Sequence, residues 1–388
     1  MRIVDIREIA VPLNSTLRNA AFDFSEMTTS VVAVVTDVVR DGGPVAGFAF
    51  NSTGRYACGP VMRARMIPRI LKAAPDGLLN AAGDNIDPEK CLAVMLKGEK
   101  PGGHTERSIA VGTIEVAIWD AVAKIAGQPL HKSIADRYNG GSTVDRMFCY
   151  VGGGWYAPDK GIPQLVDEMK AYLGMGYTQL KMKVGGMSLA DDLARLEAVL
   201  AILDSPEQLA VDANCGFSRE RALEYGRALA PYNLRWFEEP VDPLDFATVA
   251  ELAEFYEAPL ATGENLFSTS DVVNLVRYSG MRPDRDVVQT DTPQSYGIAT
   301  LAKTIAAVAD YGWNPLQLMP HGGNQMSLHI AGGFGLGLCE AYPNVFGMFS
   351  GYADDATLDN GYLSMPSRPG IGFEAQNALY AVMKDLAA

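Results

Sequence analysis

The sequence predicts an α/β chain in which a (β/α)8-type, TIM-like barrel is joined to a smaller α+β capping domain, and three observations carry that expectation. Beyond about Asp145, short apolar runs alternate with amphipathic helical stretches, the texture of parallel β/α units. Six distinctive polar residues close successive runs: Lys183, Asp212, Glu238, Glu264, Asp291 and His321, at gaps of 29, 26, 26, 27 and 30 residues. Each gap is about one strand, loop and helix. The first 140 residues have a different texture, and 388 residues suit one large barrel with a smaller partner.

In chain order, residues 1–50 hold two strand-like runs, RIVDIREIAVPL and TTSVVAVVTDVV, separated by a polar stretch from Asn14 to Thr28. Helical patterns dominate from Met62 to about Gly127. There ERSIAVGTIEVAIWDAVAKIAG sets Ile109, Val116, Ile118, Trp119 and Val122 on one broad apolar face and stops at Gly127. Residues 1–140 therefore read as the cap. Residues 141–350 read as the barrel, with candidate strands MFCYV, TQLKMKV, LAVDAN, LRWFEEP, PLATGEN, DVVQTD and LQLMPH. In 351–388 the run GYLSMP and the helix ALYAVMKDLAA are expected to return to the cap. A doubly wound open sheet is the alternative, but its ligands gather at one switch point, whereas a barrel assembles its site from many consecutive strand ends.

Bulk properties narrow the function classes. With 48% hydrophobic and 20% charged residues and no low-complexity tract, the whole chain is expected to fold. A formal charge of −14 repels phosphate backbones and speaks against nucleic-acid binding. Cys58, Cys91, Cys149, Cys215 and Cys339 are scattered, without the paired spacing of disulfide or zinc-thiolate frameworks. MRIVDIREIAVPL reads as a strand and not a leader, and no apolar run reaches the ~18 residues of a membrane span. A cytoplasmic protein is expected.

Three constellations carry chemistry. Asp212, Glu238 and Glu264 would converge at the C-terminal ends of barrel strands, where buried carboxylates repel one another unless paired or bound to a cation. A hard divalent ion such as Mg²⁺ suits all-oxygen ligation. Glu239 follows Glu238 directly, so strand alternation aims it at the opposite face, toward neighbouring lysines. Lys181 and Lys183, in K-M-K, share one strand face, and their mutual repulsion is expected to lower the proton affinity of one enough for a base. Asp291 on the strand before His321 can accept a hydrogen bond from one ring nitrogen and set the basicity of the other. His329 reads as a satisfied core residue.

The runs KMK, VDANCGF, WFEEPV, ATGEN, QTDTPQSYGIAT and MPHGG, with IEVAIWDAVAKIAGQPLH before them, resemble the mandelate racemase-like branch of the enolase superfamily over nearly the whole chain. The resemblance implies Mg²⁺ on Asp212, Glu238 and Glu264, acid and base groups at His321 and Lys183, and Asp291 behind the histidine. Asp291 stands where muconate cycloisomerase-like members carry a lysine, and Glu264 where glucarate dehydratase-like members carry asparagine. What remains is Mg²⁺-dependent dehydration of a hydroxy-diacid or acid sugar through an enediolate, or racemisation of a 2-hydroxy acid. Further segments such as FNSTGRY and MPSRPGIGFE resemble tartrate-dehydrating members and make conversion of tartrate to oxaloacetate the expected reaction. Racemisation of a 2-hydroxy acid by the same pair is the alternative. The expected partner is a small carboxylate, held by Asn19, Asn51, Arg55 and Lys100 in polar loops and by Asn214, and a homo-oligomer is the expected assembly.

Overall fold

The β-branched run from Val31 to Val35 is buried on both faces, because strand β2 (Thr28–Arg40) lies between β1 (Ile3–Pro12) and β3 (Gly43–Phe50) in an antiparallel sheet with helices packed against it. The computed structural model describes every residue of 1–388 except Asn344. The helix Glu106–Ala126 crosses this sheet so closely that a Cβ on Gly47 would collide with the Ala117 carbonyl and the Ala121 amide. Gly127, at φ 70°, ends that helix in the left-handed region, where glycine carries no steric penalty. Asp120 on the same helix accepts from Phe48 N at 2.8 Å and from Ile371 N at 2.6 Å, so one carboxylate ties the cap sheet to the C-terminal segment.

Eight parallel strands form the barrel: β4 (Arg146–Gly153), β5 (Leu180–Lys183), β6 (Leu209–Asp212), β7 (Phe237–Glu238), β8 (Leu260–Thr262), β9 (Val287–Thr290), β10 (Leu318–Pro320) and β11 (Cys339–Ala341). β4 to β10 pair in sequence, β11 pairs with β4, and Gly337 N donates to Leu318 O at 3.1 Å beside β10, closing the ring. Inside it Tyr150, Ala210, Trp236, Ala261 and Met319 pack as a separate small cluster, a filled interior and not a pore.

Seven helices follow β4 to β10, and the sequence starts five of them with side-chain caps. Ser188, Ser218, Asp245, Ser268 and Asn324 each accept a backbone N–H from the first turn of the helix that follows. The helices Ile162–Gly174 and Ile298–Ala309 are the exceptions, because Gly161 and Gly297 precede them. The second is capped from the other domain: Glu115, on the long cap helix, accepts from Ile298 N at 2.8 Å and Ala299 N at 3.0 Å.

Two expectations need correction. The barrel has an eighth strand, β11, that the sequence reading did not identify; a 3₁₀ turn, Gly347–Phe349, comes after it, and the next α-helix is Asn377–Ala387. GYLSMP does not return to the cap. Its strand β13 (Tyr362–Ser364) pairs with β12 (Leu358–Asp359) and antiparallel with the N-terminal half of barrel strand β4, burying Leu363. The final helix Asn377–Ala387 does reach the cap, where Arg7 Nη1 donates to Leu386 O at 3.0 Å and Tyr380 meets Phe48 edge-on. Among the described residues no helix is long and apolar enough to cross a membrane.

Candidate active site

Parallel register sets Lys183 beside Asp212 and Asp212 beside Glu238. Glu264, Asp291 and His321 lie just beyond the ends of β8, β9 and β10. All six strand-end residues of the sequence reading thus face one region under the cap. A seventh, Glu340 on β11, joins them.

The contacts form two connected groups. Lys183 Nζ lies 2.5 Å from Asp212 Oδ2, and Lys181 Nζ lies 2.5 Å from Glu238 Oε1, 2.6 Å from Glu340 Oε1 and 3.4 Å from Asp212 Oδ2. His321 Nδ1 is 2.7 Å from Asp291 Oδ2, while its Nε2 faces Glu264 Oε1 at 3.5 Å and Glu340 Oε2 at 3.8 Å. The Lys183 ammonium also sits 4.3 Å from the centre of the Trp155 ring, a cation–π contact.

Six buried carboxylates, Asp212, Glu238, Glu239, Glu264, Asp291 and Glu340, face three cationic side chains, Lys181, Lys183 and His321. Burial and then the neighbouring acids push Glu238 above the usual carboxylate range despite Lys181, and burial likewise raises Glu264 despite His321. Asp212 goes the other way: burial would raise it, but Lys183 and Lys181 hold it well below. Glu340 is lowered to about 2, since Lys181 and His321 outweigh its burial. Burial alone would lower His321, yet Glu264, Asp291 and Glu340 raise it to about 10, so it is an imidazolium at neutral pH.

The donor set fits a hard divalent cation. Negative charge is in excess, every carboxylate is desolvated, and Glu264 Oε2 is buried with no hydrogen-bond partner among the described residues. Among the described residues the carboxylates do not stand as a ready-made metal cluster, because lysine amines lie against Asp212 and Glu238.

Several expectations for single residues change. Glu239 does not pair with a lysine: φ of +43° turns it out of strand alternation, and its Oε1 accepts from Asn265 Nδ2 at 2.7 Å. Burial, then Glu264 and Asp212, raise Glu239 to about 8. Lys181 is not made less basic by its neighbour. Glu238 and Glu340 outweigh its burial and hold it firmly charged. Asn51 is a buried structural tie, accepting from Ser30 N at 2.5 Å and donating to the carbonyls of Ser52 and Arg55. Lys100 is exposed and does not line the cavity; its backbone carbonyl accepts from Arg107.

Asn19, Arg55 and Asn214 do line the central cavity, together with Lys183, Glu264 and His321. Asn214 donates from Nδ2 to Asp212 Oδ2 at 3.2 Å, leaving its Oδ1 buried without a partner among the described residues. Arg55 bonds Asn265 Oδ1 and lies over the Phe267 ring. The cavity holds about 30 Å³, walled by Phe22, Phe24, Trp155, Tyr342 and Phe346, and an outer chamber of about 550 Å³ shares Phe22, Arg55, Asn214 and Asn265 with it. Glu340 and the aromatic walls escaped the sequence reading. The one signal for Glu340 was an acid inside the apolar run LGLCEAY.

A closed barrel carries carboxylates, two lysines and a His–Asp pair at its strand ends, under a cap built from both termini. Residues 164–379 match the family described as Enolase C-terminal domain-like. The chain belongs to that family, in the enolase superfamily branch of mandelate racemase and muconate lactonizing enzymes. It is 31% identical to arabinonate dehydratase of Saccharolobus solfataricus over 72% of this chain and 74% of that one. It is 30% identical to L-talarate/galactarate dehydratase of Salmonella typhimurium over 89% and 81%. A crystal structure of the Salmonella enzyme liganded with Mg and L-lyxarohydroxamate superposes with a TM-score of 0.76 at 26% identity, covering 96% of this chain and 91% of that one.

Proposed function

We propose that the protein is a Mg²⁺-dependent hydro-lyase that dehydrates an acid sugar or hydroxy-diacid, with D-tartrate to oxaloacetate as the specific reaction. The observation that carries the reading is that Lys183 and His321 line one cavity together with the Glu264 carboxylate, and Lys183 contacts Asp212. The dehydratase relatives and the Mg-liganded structure support the same chemistry.

Asp212, Glu238 and Glu264 would hold the Mg²⁺, which supplies positive charge beside the substrate carboxylate whose α-proton is removed. Lys183, as the free amine after giving up its own ammonium proton and released from Asp212, takes the proton from C2. His321, already an imidazolium, gives its Nε2 proton to the C3 hydroxyl, which leaves as water. Asp291 holds the ring at Nδ1 and stabilises its charge. The enol left behind tautomerises to the keto acid. Glu340 and Lys181 form a fully buried ion pair, and Lys181 also contacts Glu238. Arg55, Asn19 and Asn214, which line the cavity, hold the distal end.

Incubation of the purified protein and MgCl₂ with mono- and diacid sugars, followed by keto-acid detection, tests this reading. Oxaloacetate from D-tartrate, and little from six-carbon aldarates, is the expected result. Deuterium entering recovered substrate in D₂O without keto acid would replace dehydration with racemisation.

A further inference from the structure

We propose that Gln294 is a positioning residue: it fixes the Asp291 carboxylate against His321 and makes that alignment depend on the cap segment Asn51–Arg55. The inference rests on the reading of His321 as the acid that assists loss of the hydroxyl.

Asp291 Oδ2 accepts two hydrogen bonds, from His321 Nδ1 at 2.7 Å and from Gln294 Nε2 at 3.2 Å. Its other oxygen, Oδ1, is buried with no partner among the described residues. The orientation of this carboxylate is therefore set through a single oxygen. Removing one of two donors from that oxygen leaves the group free to turn about its own axis, and the imidazole turns with it. Gln294 is itself well placed to hold it. It lies in the single turn Thr292–Gln294 directly after Asp291, its backbone N donates to Asp291 O at 3.0 Å, and its side chain is buried at the cavity wall.

The same amide nitrogen reaches across the domain boundary to Ser52 O at 3.5 Å. Ser52 is wedged against the barrel, since a Cβ on Gly322 would come within 2.8 Å of its Oγ. Asn51 locks the segment by donating to the carbonyls of both Ser52 and Arg55. A continuous path thus runs from Arg55, which faces the cavity, through Ser52 and Gln294 to Asp291 and His321. Gln294 thereby ties the Asp291–His321 alignment to the position of the cap segment that carries Arg55.

The test uses the full-length protein with MgCl₂ and the near-isosteric Gln294→Met, which removes the amide and keeps the length. The chain has only four histidines, so the His321 ring signals can be assigned in ¹⁵N–¹H spectra by comparison with His321→Asn. The wild type is expected to show a His321 Nδ1 proton strongly shifted by the carboxylate. Gln294→Met is expected to broaden that signal or speed its solvent exchange at least tenfold. With D-tartrate, keto-acid release is expected to fall at least tenfold in kcat while α-proton exchange stays within about twofold. Gln294→Asn, which keeps a shorter amide, should recover part of both. An unchanged His321 signal in folded Gln294→Met overturns the inference, as does a Gln294→Asn signal no closer to wild type than that of Gln294→Met. If the wild type does not act on D-tartrate, the substrate reading fails, and the histidine signal still decides the role of Gln294.

Discussion

Asp291 and His321 stand just beyond the ends of adjacent barrel strands with Oδ2 and Nδ1 2.7 Å apart, and Glu264, this pairing and Glu340 together keep the imidazole charged near neutral pH despite its burial. The ring's other nitrogen looks into the cavity that Lys183 enters from across the barrel. A proton donor and a proton acceptor thus face one small volume.

Chelation should abolish activity and Mg²⁺ should restore it. Asp212→Asn, Glu238→Gln and Glu264→Gln are each expected to weaken Mg²⁺ binding by at least roughly tenfold in calorimetric titration, and Glu239→Gln by much less. The contrast follows from the contacts: Glu238 lies among the site lysines, while Glu239 bonds Asn265. Equal losses at the two glutamates would assign the ligand wrongly.

Arg55→Ala should raise KM for a diacid by about tenfold or more while changing kcat less, the pattern of a lost charge-assisted contact to the distal carboxylate. A kcat effect as large as the KM effect would place Arg55 in the chemical step instead.

Glu115→Ala should destabilise the protein by about 3 kcal/mol in denaturant titration, because three donors, Ile298 N, Ala299 N and Trp119 Nε1, lose a buried acceptor. Gly297→Ala should cost at least about 2 kcal/mol, since its φ is +91° and its Cβ would meet the Glu115 carboxylate. Wild-type midpoints in both variants would remove this carboxylate as the link between cap and barrel.

Stability should fall with acid through His131 and His329, whose Nδ1 atoms lie 3.3 Å apart where helix Leu130–Tyr138 meets helix Gln325–Phe334. Burial, reinforced by Lys132 and by the partner ring respectively, lowers them from 6.5 to about 4 and about 3. Because both folded values lie below the unfolded one, the unfolded chain takes up protons first. The stabilisation is complete above pH 6.5 and is lost progressively as pH falls through about 4 for His131 and about 3 for His329. A drop in Tm of roughly 5 °C between pH 7.5 and 5 is expected, smaller in His329→Gln. An identical slope in that variant would trace the acid sensitivity to other groups.

Much of the site was legible because a parallel barrel repeats at a near-constant interval. The six polar strand ends from Lys183 to His321 announced themselves by spacing alone, and the period-2 rule put Lys181 with Lys183. Glu340 broke the interval: only 19 residues separate it from His321, across a ten-residue helix, and its strand is three residues long. Glu239 defeated strand alternation because the chain leaves the extended region there. The roles of Asn51 and Lys100 could not be read, since polar loop residues carry no periodicity. A buried tie and an exposed side chain look alike in sequence.

The central claim is that proton removal by Lys183 and hydroxyl departure assisted by His321 occur on different carbons. Proton NMR of D-tartrate in D₂O with MgCl₂ tests it most directly. Lys183→Ala should lose both keto-acid formation and exchange of the substrate α-proton. His321→Asn should lose keto-acid formation while exchange continues, because Lys183 still removes and returns the proton. Near wild-type dehydration in His321→Asn, or exchange surviving in Lys183→Ala, would contradict the account.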